Sequence, residues 1–214
     1  MDRDRGRVGH RIGGVGRRSE IPKERVNDRT LALVTLLFFG SELALAIFRR
    51  ARHTDGATRA DRGSIRLLWI VITLAITMAL CLSGYRPGRL PFPSAWIREA
   101  ALEFFVGGLA FRWWAVFTLG RFFTVDVATH DDHALVDTGP FRLVRHPSYT
   151  GLLLAFIGFG LSLGNALSLL VLMVPIVAAL WYRMRVEEDA LRQALGAAYD
   201  GYCARTKRLI PGVV

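Results

Sequence analysis

Lysine is almost missing from this chain. Only Lys23 and Lys207 are present, and arginine carries nearly all of the formal charge of +10. The arginines sit mostly in tails and loops beside apolar runs, with no stacking-aromatic or zinc pattern around them. That arrangement excludes a nucleic-acid binder and points to anionic lipid headgroups as the partner. Cysteine is as scarce: Cys81 lies in an apolar run and Cys203 near the C-terminus, with no Cys-x-x-Cys spacing, which excludes a disulfide framework and leaves two free thiols. No Gly-x-Gly-x-x-Gly follows a strand pattern, so no Rossmann domain is expected. No internal repeat of the kind many transporters show is visible. The first apolar run lacks an Ala-x-Ala cleavage pattern and reads as a retained anchor.

Long apolar runs are what the chain has in excess. Of its 214 residues 52% are hydrophobic, and the mean hydropathy is +0.31. Runs at 31–48, 67–84, 100–119, 151–163 and 166–184 each approach the span of a bilayer core, which takes about 20 helical residues. They predict an all-α, polytopic membrane protein with five transmembrane helices. Residues 1–28 read as a disordered basic tail, 29–119 as three transmembrane helices, and 120–214 as a catalytic region built from a loop, a helical hairpin at 150–184 and a C-terminal helix and tail. Arg49, Arg50, Arg52, Arg59, Arg62 and Arg66 place the first loop in the cytoplasm, and the arginine-rich, lysine-poor composition suits a bacterial cytoplasmic membrane. Pro87, Pro91 and Pro93 predict an irregular loop on the opposite side.

Charges inside apolar runs need partners. Glu42 in the first run and Arg112 in the third are expected to pair. The fifth run continues into Arg183-Met-Arg-Val-Glu-Glu-Asp, and Leu191, Leu195 and Tyr199 then repeat at i, i+4, i+8. They predict a cytoplasmic amphipathic helix from 187 to about 205, interrupted at Gly196. Arg183 and Glu188 lie about 140° apart around a helix, so they share a pocket only if it wraps the helix or the helix end is distorted. His130-Asp-Asp-His133 has ligands suited to zinc or manganese, although an acidic turn with a histidine reads the same way.

The stretch Gly139-Pro-Phe-Arg-Leu-Val-Arg-His-Pro-Ser-Tyr-Thr-Gly151 is polar and turn-prone between apolar runs. Pro147 should open a helix with His146 just outside it. Together with Glu187-Glu188, Leu195-Gly196, Tyr199, Tyr202, Arg208-Leu-Ile-Pro211 and the upstream Leu119-Gly-Arg-Phe-Phe-Thr124, it resembles the isoprenylcysteine carboxyl methyltransferase family. That family sits within a wider group that includes phospholipid methyltransferases. The resemblance covers residues 119–212.

It implies a membrane enzyme that moves a methyl group from S-adenosyl-L-methionine, leaving S-adenosyl-L-homocysteine, to a lipophilic acceptor: an isoprenylcysteine-like or lipidated carboxylate, or another small lipophilic carboxylate, thiol or amine. His133, Leu135 and Val136 would border the adenosine. Gly139, His146, Pro147, Tyr149 and Gly151 would shape the cofactor pocket, with Glu187 supporting it. Arg183 and Glu188 would face the acceptor as catalytic residues, and no metal is expected. The alternative is a non-catalytic membrane protein that uses the same fold for cofactor binding or assembly.

Overall fold

The computed structural model describes residues 33, 36–38, 40–42, 58–59, 63–92, 94–120, 128–129 and 135–212. The tail at 1–28, His130, His133 and the arginines at 49, 50, 52 and 62 lie outside the described residues. Six helices are described. α1 comprises helical residues at 33, 36–38 and 40–42. α2 spans Ser64–Leu82, α3 Ser94–Leu119, α4 Pro147–Ser162, α5 Ala166–Leu195 and α6 Ala197–Arg205. The two-residue strands β1 (Thr58–Arg59) and β2 (Ala128–Thr129) pair antiparallel, a minor exception to an all-helical architecture.

α2, α3 and α5 are long and apolar enough to cross a membrane, and α4 is a shorter apolar helix. The five-span expectation is therefore met only in part. α4 has 16 residues, about 24 Å of helix, and the first run is described at a few residues only. α5 has 30 residues, about 45 Å, which exceeds a hydrocarbon core of about 30 Å and leaves its charged final turns outside.

Local sequence accounts for the boundaries. Gly63 takes φ 79 ahead of Ser64, so α2 starts earlier than hydropathy suggests and absorbs Arg66 from the expected loop. Pro147 occupies the first turn of α4 and His146 its N-cap, with φ −121 and ψ 58, as the proline spacing predicts. The Pro-rich segment is less irregular than expected, since Arg86–Gly88 forms one 3-10 turn with Pro87 inside it.

The turn between α4 and α5 is tied to the end of α2. Asn165 accepts from the Leu167 and Ser168 amides at 2.9 and 3.1 Å and donates to the Leu82 and Tyr85 carbonyls at 3.2 and 2.8 Å. One amide side chain thus caps a helix and holds a loop. Asn165→Ala is expected to cost about 2 kcal/mol, the upper range for a lost cap, because the Leu82 and Tyr85 carbonyls lose a donor as well. A thermal melt in detergent reads this directly, and an unchanged midpoint would show the clasp to be dispensable.

α3 and α4 approach backbone to backbone. A Cβ on Gly151 would lie 2.6 Å from the Arg112 nitrogen and 2.6 Å from the Gly108 oxygen, and one on Gly158 would lie 2.5 Å from the Ala101 oxygen. Small residues at the contact are how apolar helices pack closely where lipid competes. Buried apolar side chains of the helices meet in one cluster that includes Phe38, Leu68, Ile72, Phe105, Phe156, Leu172 and Leu180.

Candidate active site

The segment 144–146 is held by the C-terminal tail. The Arg145 and His146 amides donate to the Lys207 and Arg208 carbonyls at 2.7 and 3.0 Å, and Thr150 Oγ1 donates to the Leu209 carbonyl at 2.9 Å. α6 adds Tyr202, whose hydroxyl donates to the Phe141 carbonyl at 2.7 Å. Burial pushes the Tyr202 phenol up to about 12, so it remains a donor at neutral pH. Arg145 Nη1 reaches the Cys203 carbonyl at 3.1 Å and the Thr206 carbonyl.

Glu188 lies at the centre of this closure and is fully buried. Its carboxylate accepts from Arg145 Nε at 3.1 Å and from Arg208 Nη2 at 2.7 Å, and lies 3.2 Å from His146 Nε2. Arg208 is in turn stacked over Trp181, 4.6 Å from the ring centre. A carboxylate withdrawn from water needs such partners, and here they come from two separate stretches of chain, 145–146 and the tail at 208.

Arg183 faces elsewhere. Its Nη1 donates to Ser64 Oγ at 2.6 Å and its Nε to the Tyr149 hydroxyl at 3.4 Å, and it is 2% exposed. Tyr149 donates to Glu187 Oε2 at 2.9 Å. Arg183 and Glu187, one turn apart, thus share Tyr149, while Glu188 is turned toward the tail. The wide angle between Arg183 and Glu188 is realised as two separate environments.

A cleft opens among α1, α2, α3 and the start of α4. Phe38, Leu68, Ile72 and Leu152 give it an apolar wall, and Arg145, His146, Pro147, Ser148, Tyr149 and Glu187 a polar end. Glu42 and Arg112 line it between the two. The expected pairing is present: Arg112 Nη2 lies 3.0 Å from Glu42 Oε1, and Nη1 donates to Ser148 Oγ at 3.0 Å.

Of the sequence-derived candidates, His146, Pro147, Tyr149 and Glu187 meet at the cleft. Gly151 instead forms the α3–α4 contact, and Gly139, at φ 55, starts a 3-10 turn against Thr118. Leu135 and Val136 are half-buried in a segment without regular secondary structure; neither lines the cleft. His133 lies outside the described residues. Arg183 and Glu188 are not among the lining residues either; they hold residues that are. Sequence reasoning gave no role to Arg145, Arg208, Ser64 or Ser148. Arg145 and Arg208 stood inside quoted motifs, but which carboxylate they serve depends on how the tail folds back. Among the described residues no group of three or more His, Cys, Asp or Glu could hold a metal.

Comparison with known proteins gives the same class. The family model described as "Isoprenylcysteine carboxyl methyltransferase (ICMT) family" matches residues 101–193. Protein-S-isoprenylcysteine O-methyltransferase B of Arabidopsis thaliana is 30% identical over 85% of this chain and 91% of its own length. Protein-S-isoprenylcysteine O-methyltransferase A of the same plant is 31% identical over 85% and 91%. The Schizosaccharomyces pombe protein-S-isoprenylcysteine O-methyltransferase is 32% identical over 67% and 66%. A solved structure of the eukaryotic intramembrane Ras methyltransferase ICMT superposes with a TM-score of 0.59 at 21% identity, over 90% of this chain and 70% of that one. That likeness establishes a shared fold.

The protein is an all-helical, multi-pass membrane methyltransferase. More particularly, the chain belongs to the isoprenylcysteine carboxyl methyltransferase family. These relatives are eukaryotic and give no support to the bacterial host suggested by composition.

Proposed function

We propose that the cleft binds S-adenosyl-L-methionine at its polar end and a lipophilic carboxylate of the isoprenylcysteine type along its apolar wall, and that the methyl group passes to the carboxylate oxygen. The observation that carries this reading is the cleft itself, in which a hydrocarbon-lined wall runs into a cluster of ionisable side chains at the start of α4. The cofactor's charges fit that end. The Glu187 side chain is 31% exposed and offers a carboxylate to cationic groups, while Arg145 and His146 offer donors to anionic ones.

When bound, the cofactor supplies a methyl group already activated on a sulfonium. The protein therefore needs no strong acid or base. Its residues orient the reactants and exclude water, and most of the rate comes from holding nucleophile and methyl in line. Tyr149 fixes Glu187, Arg183 fixes Tyr149, and Ser64 anchors Arg183 to the wall where the acceptor lies. Glu188 keeps the tail closed. In this reading Arg183 and Glu188 are positioning residues rather than contacts of the acceptor. Gly139 and Gly151 shape the pocket indirectly, through the helices they allow to approach. The adenosine extends past the polar end of the cleft to His133, Leu135 and Val136, residues 120–214 form the catalytic region, and the polar end faces the cytoplasm, in keeping with the arginine-rich first loop.

The test is transfer of labelled methyl from S-adenosyl-L-methionine to N-acetyl-S-farnesylcysteine by the protein in nanodiscs. A base-labile methyl ester is expected, with Tyr149→Phe reducing kcat/KM about tenfold or more, the effect of losing one positioning bond. Transfer to lipid amines or thiols, with none to the carboxylate, would overturn the acceptor assignment.

A further inference from the structure

Trp181 carries two guanidiniums at the level where α5 leaves the hydrocarbon. About 20 helical residues cross a bilayer core, and counted from the start of α5 at Ala166 they end near Arg185. Trp181 and the exposed Tyr182 thus occupy the belt where amphipathic aromatic rings collect. The Arg185 guanidinium lies over the Trp181 ring, 5.8 Å from its centre, and that of Arg208 lies 4.6 Å from the same centre.

The two cations differ in what else they hold. Arg208 commits Nε and Nη2 to Glu188, and its Nη1 makes no hydrogen bond among the described residues. Its side chain is 23% exposed, so that edge is within reach of a ligand. Arg185 is exposed and has neither an acidic nor a hydrogen-bonding partner among the described residues. Asp189, one turn further on, is turned to Arg192 at 3.6 Å, and Glu188 is already shared by Arg145, His146 and Arg208. Two like charges are therefore gathered at one ring, and no carboxylate lies between them.

We propose that Arg185 and Arg208 together bind the phosphate of an anionic phospholipid from the surrounding leaflet, and that this lipid stabilises the closed C-terminal tail. A phosphodiester matches a guanidinium edge in both geometry and charge. The source is a lipid because the site sits at headgroup depth, and the exposed Tyr182 and Ile210 add apolar surface that acyl chains cover and a soluble phosphate does not. Arg208 belongs both to this site and to the closure on Glu188. Repulsion from Arg185 works against the position in which Arg208 holds Glu188, and an anion on the free edge offsets it. The tail then keeps its backbone hydrogen bonds to Arg145 and His146, so the charge of the membrane sets the affinity for the cofactor.

The effect on affinity rests on the cofactor site proposed above, whereas lipid retention does not, and the experiment reads both. Wild type, Arg185→Gln and Arg185→Lys are placed in nanodiscs of phosphatidylcholine, alone or mixed with phosphatidylglycerol. Native mass spectrometry of protein released from the mixed discs is expected to show phosphatidylglycerol retained in preference by wild type, partly by Arg185→Lys and not by Arg185→Gln. S-adenosyl-L-homocysteine has no net charge, so surface potential alone does not concentrate it. Phosphatidylglycerol is expected to tighten its binding to wild type about fivefold or more, the lower end of coupling between two sites, and to Arg185→Gln by less than about twofold. No preference for phosphatidylglycerol by wild type overturns the proposal whatever the variants do, and so does equal retention by Arg185→Gln. Retention without a change in affinity overturns the link to the tail. The same tightening by inorganic phosphate in phosphatidylcholine discs overturns the lipid source. If retention depends on Arg185 yet wild type binds no S-adenosyl-L-homocysteine in either lipid, the cofactor assignment fails and the lipid site stands.

Discussion

Glu188→Ala is expected to destabilise the protein by about 3–5 kcal/mol, the usual cost of breaking a buried ion pair from one side, and to abolish cofactor binding. The carboxylate is completely buried, and two guanidiniums and an imidazole converge on it. Removing it strands Arg145 and Arg208 near one another with no counter-charge, so the tail at 206–209 is pushed away from 144–146 where it had supplied backbone hydrogen bonds. Glu188→Gln keeps the shape and part of the hydrogen bonding but not the charge, and should fall between wild type and alanine. Thermal melts in detergent alongside S-adenosyl-L-homocysteine binding read both effects. A stable Glu188→Ala protein with intact binding would show that the tail closes without its latch.

Two adjacent glycines should respond with opposite sign to the same substitution. Gly107 has nothing within 4 Å of an added Cβ, whereas at Gly108 that atom would stand 2.5 Å from the Ala155 nitrogen and 2.6 Å from the Gly151 oxygen. Gly107→Ala is expected to stabilise α3 by about 0.5–1 kcal/mol through reduced backbone entropy. Gly108→Ala must separate two helices whose backbones touch, and overpacking of this kind costs about 1–3 kcal/mol or more. Gly151→Ala presses on the same contact from α4. Because α4 begins at Pro147 and carries Ser148 and Tyr149 in its first turn, this variant should lose activity beyond its loss of stability. Equal melting temperatures for the Gly107 and Gly108 variants would contradict the close approach.

Much of this architecture was legible in the sequence for physical reasons. Long apolar runs mark helices in a lipid phase because a helix satisfies its backbone hydrogen bonds within a single segment. The pairing of Glu42 with Arg112 follows from the same economy, as two charges at depth have few other partners. Pro147 set the start of α4 through its missing N–H. The separate destinations of Arg183 and Glu188 were not legible. Helical geometry gave the angle between them, but which neighbour each meets depends on where Ser64 begins α2 and where Arg208 folds back, both long-range consequences of packing. The packing role of Gly151 was hidden for a related reason: its motif neighbours line the cleft, while its own missing side chain admits α3. The extent of α2 was blurred because Gly63 at positive φ lets the helix begin in a polar stretch that hydropathy assigns to a loop.

In the proposed function the polar end of the cleft is a cofactor site organised by Glu187. Calorimetric titration of S-adenosyl-L-homocysteine into the wild-type protein in nanodiscs, with Glu187→Ala in parallel, tests it most directly. Micromolar binding to the wild type is expected, with its loss in the variant at an unchanged melting temperature. Equal binding by both would place the cofactor elsewhere, and no binding by the wild type would rule out a cofactor site in the cleft.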